Sequence, residues 1–265
     1  MIPEIFLDTD ILLVIGALFL NFLVFFLIGV FKDDNSYVDI GWGLGFLVVA
    51  AVSLAVGQNF GYTVPVLMTV LVFAWGSRLT VHLGKRVFMM EEEDYRYREM
   101  RERWNNFYLN SFFKVYMFQA LILLVVASPI IFVNLIGFQA IYSVPLFGFG
   151  LLVWMIGLFF EVVGDHQLKK FLESGEGKVL DKGLWRYTRH PNYFGESVIW
   201  WGFFVMAVGY TGLTGLWTVI SPVTITFLLL KVSGVPLLEE KLMEEEEYRE
   251  YAEKTSKFVP WFPDE

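Results

Sequence analysis

The chain has 265 residues, of which 56% are hydrophobic and 18% charged, and a formal net charge of −8. A mean hydropathy of +0.55 excludes an ordinary soluble domain. The absence of cysteine excludes a disulfide framework and a thiolate metal centre, and three histidines (His82, His166 and His190) give no basis for a multi-histidine metal site.

Apolar runs of about 20 residues, the length that crosses hydrocarbon as a helix, recur along the chain. In order they are Ile11–Phe31, Tyr37–Gly57, Thr63–Gly84, Phe112–Val133, Val144–Val163, Phe194–Tyr210 and Leu213–Lys231. The segment before the first run carries Glu4, Asp8 and Asp10 and no cation, and no small-residue cleavage site follows, so it reads as a retained helix rather than a signal peptide. Between the third and fourth runs lie the acidic run Glu91–Asp94 and the polar stretch Tyr95–Trp104, whose Arg and Glu spacing predicts an interfacial helix. After the last run, Leu237–Thr255 is expected as one cytoplasmic helix starting behind Pro236. The tail Phe258–Pro263 cannot be helical, and its aromatics are expected at the membrane surface.

Nineteen of the 20 Lys and Arg sit at Lys32, in Lys85–Lys114, in Lys169–Arg189 or from Lys231 onward. The connections Gln58–Tyr62, Asn134–Ser143 and Thr211–Gly212 hold none. With seven spans the cationic connections all fall on one side, which the positive-inside rule makes cytoplasmic. The expected fold is an all-α polytopic membrane helix bundle of about seven spans, N-terminus out and C-terminus cytoplasmic. It forms a single domain over 1–265, and no linker interrupts it. The basic residues are interleaved with acids, so no nucleic-acid surface is expected, and no obligate protein partner is evident.

Gly183–Glu196, GLWRYTRHPNYFGE, is a polar, aromatic and cationic loop set between apolar runs. Pro191 favours an extended His190 and starts the next helix, with Asn192 and Glu196 four residues apart on one face. Lys182, Arg186 and Arg189 precede that helix N-terminus, a combination that suits an anion. Arg78, the one cation in the interior of a span rather than near its end, is followed at four-residue intervals by His82 and Arg86. A guanidinium at that depth costs at least a few kcal/mol, so the stripe either lines a ligand site or holds Arg78 against Asp39 or Glu161 as an ion pair. Asp39, Glu161 and Asp165 either balance such cations or accept hydrogen bonds from ribose hydroxyls.

These segments together resemble the DUF1295 group: GLWRYTRHPNYFGE, the tail LLEEKL…YREYAEKTSKFVPWFP, and upstream WGSRLTVHLGKR…EDYRYREMR. That group is related to the steroid 5-alpha-reductase and sterol-reductase superfamily. The resemblance implies a seven-helix membrane enzyme that binds NADPH from the cytosolic side and reduces a carbon–carbon double bond of a lipid-like steroid or enone. The substrate would come from the bilayer, mainly to residues 1–133, and the cofactor would bind mainly residues 144–265. By position, Asp165, Tyr187, Asn192 and Glu196 match cofactor-contacting residues, as does Arg78, with His82 and Arg86 at the two following contact positions. Arg186, Arg189 and His190 complete the expected cofactor set, Asp39 or Tyr37 is the expected acid, and no metal is expected. Trp75 stands where the steroid reductases have a Tyr, and Asp39 and Trp42 stand where they have a Gln-Glu pair. RHPNYFGE followed by Glu239-Glu240 also resembles isoprenylcysteine carboxyl methyltransferases and phospholipid methyltransferases, which use S-adenosylmethionine; that is the second reading. A lipid-binding or scaffold protein without turnover is the third. The membrane would be a bacterial inner membrane or an endoplasmic reticulum, with the site open to the cytoplasm.

Overall fold

The computed structural model describes residues 9–90, 92–136, 140–175 and 177–263; Glu4, Asp8 and Glu91 lie outside them. The described residues form helices and turns, with no strand. They fall into two compact units, Met1–Ala140 and Ile141–Glu265.

In the first unit the apolar runs become α1 (Thr9–Lys32), α2 (Tyr37–Val56) and α3 (Thr63–Met89). The polar stretch becomes α4 (Tyr95–Arg103). The fourth run differs from expectation. It comprises α5 (Phe107–Val126) and α6 (Ser128–Leu135), and within α5 the residues Phe112–Met117 form a π-helical turn. The break at Ala127 has a local cause: Pro129 has no N–H to give back to the preceding turn, so a new helix starts there. α2 packs between α1 and α3, and α6 packs on both α2 and α3. Asn134 fastens α6 by donating from Nδ2 to Ser53 Oγ (2.9 Å), Thr69 Oγ1 (3.1 Å) and the Ala50 carbonyl (3.2 Å). Asn59 in turn donates to the Asn134 carbonyl at 2.6 Å. With little water in hydrocarbon to compete, such bonds hold helices that apolar contact alone would leave free to slide.

At the other end of this unit α4 is tied down by charge. Asp94 caps it, accepting from Arg96 N (3.0 Å) and Arg96 Nε (2.9 Å), and also pairs with Arg86. Arg101 bonds Glu93 and Asp33 and stacks 4.0 Å from the Phe107 ring. Burial works against the Asp94 charge, but the Arg96 hydrogen bonds and the Arg96 and Arg86 charges together hold its carboxyl below the usual range. Asp94→Ala is therefore expected to cost about 1 kcal/mol for the cap and more for the stranded guanidinium groups. Hydrogen exchange over Tyr95–Arg103 checks it: exchange there should rise by at least tenfold while α2 amides stay protected.

The second unit is built on α7 (Val144–Ser174) and α8 (Pro191–Thr211), packed antiparallel. Glycines recur every seventh residue on both, at Gly150, Gly157 and Gly164 and at Gly195, Gly202 and Gly209. A Cβ on Gly202 would lie 2.6 Å from Trp154 N, and one on Gly150 would lie 2.6 Å from Met206 N. The two backbones touch along this seam, which side chains would forbid. A 3₁₀ segment, Gly212–Val219, follows, and Gly212 takes a φ of +66° there, which favours glycine. α9 (Ile220–Lys231) then folds back along α8, and the Ser197 and Thr226 hydroxyls meet at 2.6 Å.

Six helical runs among the described residues are long and apolar enough to cross a membrane; the last, Pro191–Leu242, contains this hairpin, whose arms coincide with two of the seven expected spans. Leu20, Leu27, Phe88, Phe159 and Phe227 point outward, as lipid-facing side chains do. The chain is an integral membrane protein. The expected single helix at Leu237–Thr255 is instead two, α10 (Val235–Leu242) and α11 (Glu246–Lys254). The break falls in the run Glu244–Glu247, where like charges one turn apart oppose a continuous helix, and it lets Glu239 and Tyr248 both turn inward.

Candidate functional site

The Gly183–Glu196 loop is moulded onto its own unit from two sides. Against α7, Leu184 N donates to Gln167 Oε1 (3.0 Å) and Trp185 Nε1 donates to the Gly164 carbonyl (3.1 Å). A short 3₁₀ turn, Gly183–Arg186, follows, then an extended His190 and Pro191 at the first turn of α8. Against the C-terminal segment, Thr188 Oγ1 donates to the Phe258 carbonyl (2.8 Å), Arg189 N to the Ser256 carbonyl (2.9 Å) and Trp261 N to the Tyr187 carbonyl (2.9 Å). Tyr251 donates to the Trp185 carbonyl.

The loop's ionisable residues divide between two faces. Arg189 and His190 turn inward, 7% and 2% exposed. Glu239, on α10, receives both: Arg189 Nε lies 2.9 Å and His190 Nε2 3.1 Å from its Oε1, and Lys257 Nζ lies 3.0 Å from its Oε2. Arg189 Nη1 also donates to the Ala252 carbonyl at 2.6 Å, and Tyr193 stacks on the His190 ring at 5.8 Å. Beside this cluster stands Tyr248, whose hydroxyl burial, followed by the Glu239 charge, pushes up to about 12. It stays a protonated donor at physiological pH.

Arg186 and Tyr187 face outward. Asp165 and Asn192, both half-buried, are joined where the seam of α7 and α8 ends, Asn192 Nδ2 donating to Asp165 Oδ1 at 3.0 Å. A Cβ on Gly164 would lie 3.1 Å from Asn192 N, so the same close approach that packs the helices also sets this pair. Glu196 is half-buried one turn further along α8.

The remaining expected residues belong to the first unit. Arg78 is half-buried on α3, and His82 and Arg86 are exposed. Arg86 is bonded to Asp94 and lies 3.9 Å from Asp39. Asp39 is engaged on both oxygens, accepting from Tyr97 (3.0 Å) at Oδ1 and from Arg96 (3.3 Å) at Oδ2. Handing a proton to a substrate from there would require one of these contacts to open. Tyr37 packs edge-on against Phe88, and Trp75 is wholly buried beside Phe46.

Sequence reasoning did not foresee the Arg96–Tyr97 hold on Asp39, nor that Glu239 and Lys257 would gather Arg189 and His190. A signal for Glu239 was present: it lies four residues after Val235 on the buried face of α10.

The family described as Protein of unknown function (DUF1295) matches residues 25–255, most of the chain. The chain belongs to the DUF1295 family. An uncharacterized protein of Schizosaccharomyces pombe is 26% identical over 265 aligned residues, covering 88% of this chain and 74% of the yeast protein. The 3-oxo-5-alpha-steroid 4-dehydrogenase 1 of Mus musculus is 38% identical over 61 residues, 22% of this chain and 24% of the mouse enzyme. Methanethiol S-methyltransferase 1 of Bradyrhizobium diazoefficiens is 29% identical over 107 residues, 38% of this chain and 34% of that enzyme. The chain thus spans about a quarter of the mouse enzyme and a third of the bacterial one. No solved structure matches it significantly. These relatives place this DUF1295 chain with the superfamily that joins steroid reductases and isoprenylcysteine methyltransferases.

Proposed function

We propose that this chain is a membrane-embedded reductase that uses NADPH to reduce a carbon–carbon double bond of a lipid-like substrate. The observation that carries this reading is the Asp165–Asn192 pair at the start of α8, with Arg186 and Tyr187 exposed on the preceding turn. The donor set fits the cofactor. A carboxylate and an amide suit ribose hydroxyls and a nicotinamide carboxamide, a guanidinium suits phosphate, and Tyr187 and Glu196 suit the ring and its substituents. Bound there, NADPH would supply the hydride. Asp39 and Tyr37, on the first turn of α2, remain our proposed acid for the developing enolate, with Tyr97 orienting Asp39.

The cationic connections gather at one end within each unit: Arg101 meets Asp33 in the first, and Lys257 and Arg189 meet Glu239 in the second. This supports a cytoplasmic placement of those ends, with the N-terminus outside.

A methyltransferase using S-adenosylmethionine is the second reading, favoured by the match to the bacterial S-methyltransferase. Against it, the Glu239 carboxylate is already engaged by Arg189, His190 and Lys257, and has little left to offer a cationic sulfonium. Thermal stabilisation of purified protein by each ligand separates the two. At a hundred times its Kd, a ligand that binds only the folded state stabilises by about 2.7 kcal/mol. The expected result is an upward melting shift with NADPH, absent with S-adenosylmethionine and reduced in Asn192→Ala, Asp165→Ala and Arg78→Ala. A shift with S-adenosylmethionine alone would replace this reading by the second.

A further inference from the structure

The C-terminal segment after α11 forms no helix, yet it is firmly bonded, and its bonds go to the site loop. Tyr187 O, Thr188 Oγ1 and Arg189 N, three successive residues of that loop, are bonded by Trp261, Phe258 and Ser256 respectively. Phe258 is buried against Phe194 of α8, its ring 5.9 Å away, and Phe262 stands edge-on to the Tyr187 ring at 6.0 Å. The segment is a strap laid along the loop.

Its other side is apolar and uncovered. Val259, Trp261 and Phe262 are 60%, 70% and 76% exposed within four residues. Exposing that much apolar surface to water is unfavourable. Such a patch marks an interaction surface. The occupant is indicated by where the strap sits. Trp261 is bonded to Tyr187, four residues before Pro191, where the apolar helix α8 begins, so the strap lies at the level where that helix leaves hydrocarbon. Trp and Phe are the side chains that partition to that depth. Beside them is a cleft of about 320 Å³ lined by Glu253, Lys254, Thr255, Ser256, Trp261 and Phe262, roomy enough for a phospholipid headgroup, with Lys254 available to its phosphate.

We propose that the strap Ser256–Phe262 docks on the lipid–water interface through Trp261 and Phe262, and that this docking fixes the Tyr187–Arg189 turn. The two residues are positioning residues, acting on the site through the strap's backbone bonds. The inference does not depend on which cofactor the site takes.

The chain has no cysteine, so a single fluorophore can be placed on full-length protein in phospholipid nanodiscs. Phe262→Cys carrying an environment-sensitive dye should be quenched at least twofold more by 5-doxyl phospholipid than the same dye at Lys178→Cys, an exposed loop position. Hydrogen exchange over residues 185–190 should rise at least tenfold in Trp261→Ser/Phe262→Ser, with the α7 and α8 amides unchanged. The aromatic swap Trp261→Phe/Phe262→Trp should restore wild-type exchange. Thr188→Val, which removes the bond to Phe258, should speed loop exchange while leaving the Phe262→Cys label quenched. Equal quenching at the two labelled positions would overturn the docking. Unchanged loop exchange in the double serine variant, or in Thr188→Val, would overturn the positioning. No ligand enters these measurements, so a failed NADPH shift leaves them intact.

Discussion

Glu239→Ala is expected to be among the most destabilising single substitutions in the second unit, by about 3–5 kcal/mol, because it strips the counter-charge from a buried guanidinium. Glu239 is 5% exposed and Arg189 7% exposed, so water cannot readily take the place of the lost carboxylate. His190 Nε2 loses its partner at 3.1 Å in the same step. Lys257, whose side chain is 54% exposed, remains hydrated when the pair is broken from its side. Lys257→Ala should therefore fall in the range of an exposed ion pair, about 0–1 kcal/mol. Glu239→Gln keeps an acceptor for His190 but still leaves Arg189 unneutralised, and should lie between the two. Melting of the three purified variants in one detergent checks the order. A Glu239→Ala protein that melts within the range of Lys257→Ala would mean that water or lipid headgroups reach Arg189, and that the cluster is not buried in the membrane-bound protein.

That cluster also marks where sequence reading stops. The spans were legible because a backbone in hydrocarbon must satisfy its own hydrogen bonds, so an apolar run of sufficient length becomes a helix. Hence the expected Tyr37–Gly57 and observed Tyr37–Val56 nearly coincide. The polar loop before α8 was legible for the opposite reason, as charge between apolar runs. The direction in which each charge turns was not legible. Arg186 and Arg189 read alike in the sequence, and what separates them is Glu239, far along the chain on a helix of its own. Helix breaks fall between these cases. Pro129 carried a local signal for the division between α5 and α6 that the reading of one continuous run, Phe112–Val133, passed over, whereas the break between α10 and α11 depends on Glu239 and Tyr248 both reaching inward. The glycine repeat was not read from the sequence, because its meaning required the register of α7 against α8.

The seam makes the second large effect. Gly202→Ala would put a Cβ 2.6 Å from Trp154 N and 2.8 Å from Trp154 Cα, both backbone atoms that no rotamer change can move. Ordinary van der Waals contact is about 3.4–4 Å, so the helices must separate locally. Overpacking of this kind costs about 1–3 kcal/mol or more. The substitution also gains the helix preference of alanine over glycine, about 1 kcal/mol, which the clash outweighs. Gly148, on α7 but with nothing within 4 Å of its would-be Cβ, supplies the contrast. There alanine meets open space, and Gly148→Ala should be neutral or stabilising by up to about 1 kcal/mol. The seam variant should lower the melting temperature and the control should not. Because Gly164 of the same seam sits against Asn192 N, spreading the helices also moves Asn192 relative to Asp165. NADPH affinity should then fall in Gly202→Ala even at temperatures where the variant is fully folded. Equal melting temperatures for the two variants would show that α7 and α8 do not meet backbone to backbone, and the geometry assigned to the Asp165–Asn192 pair would fall with the seam.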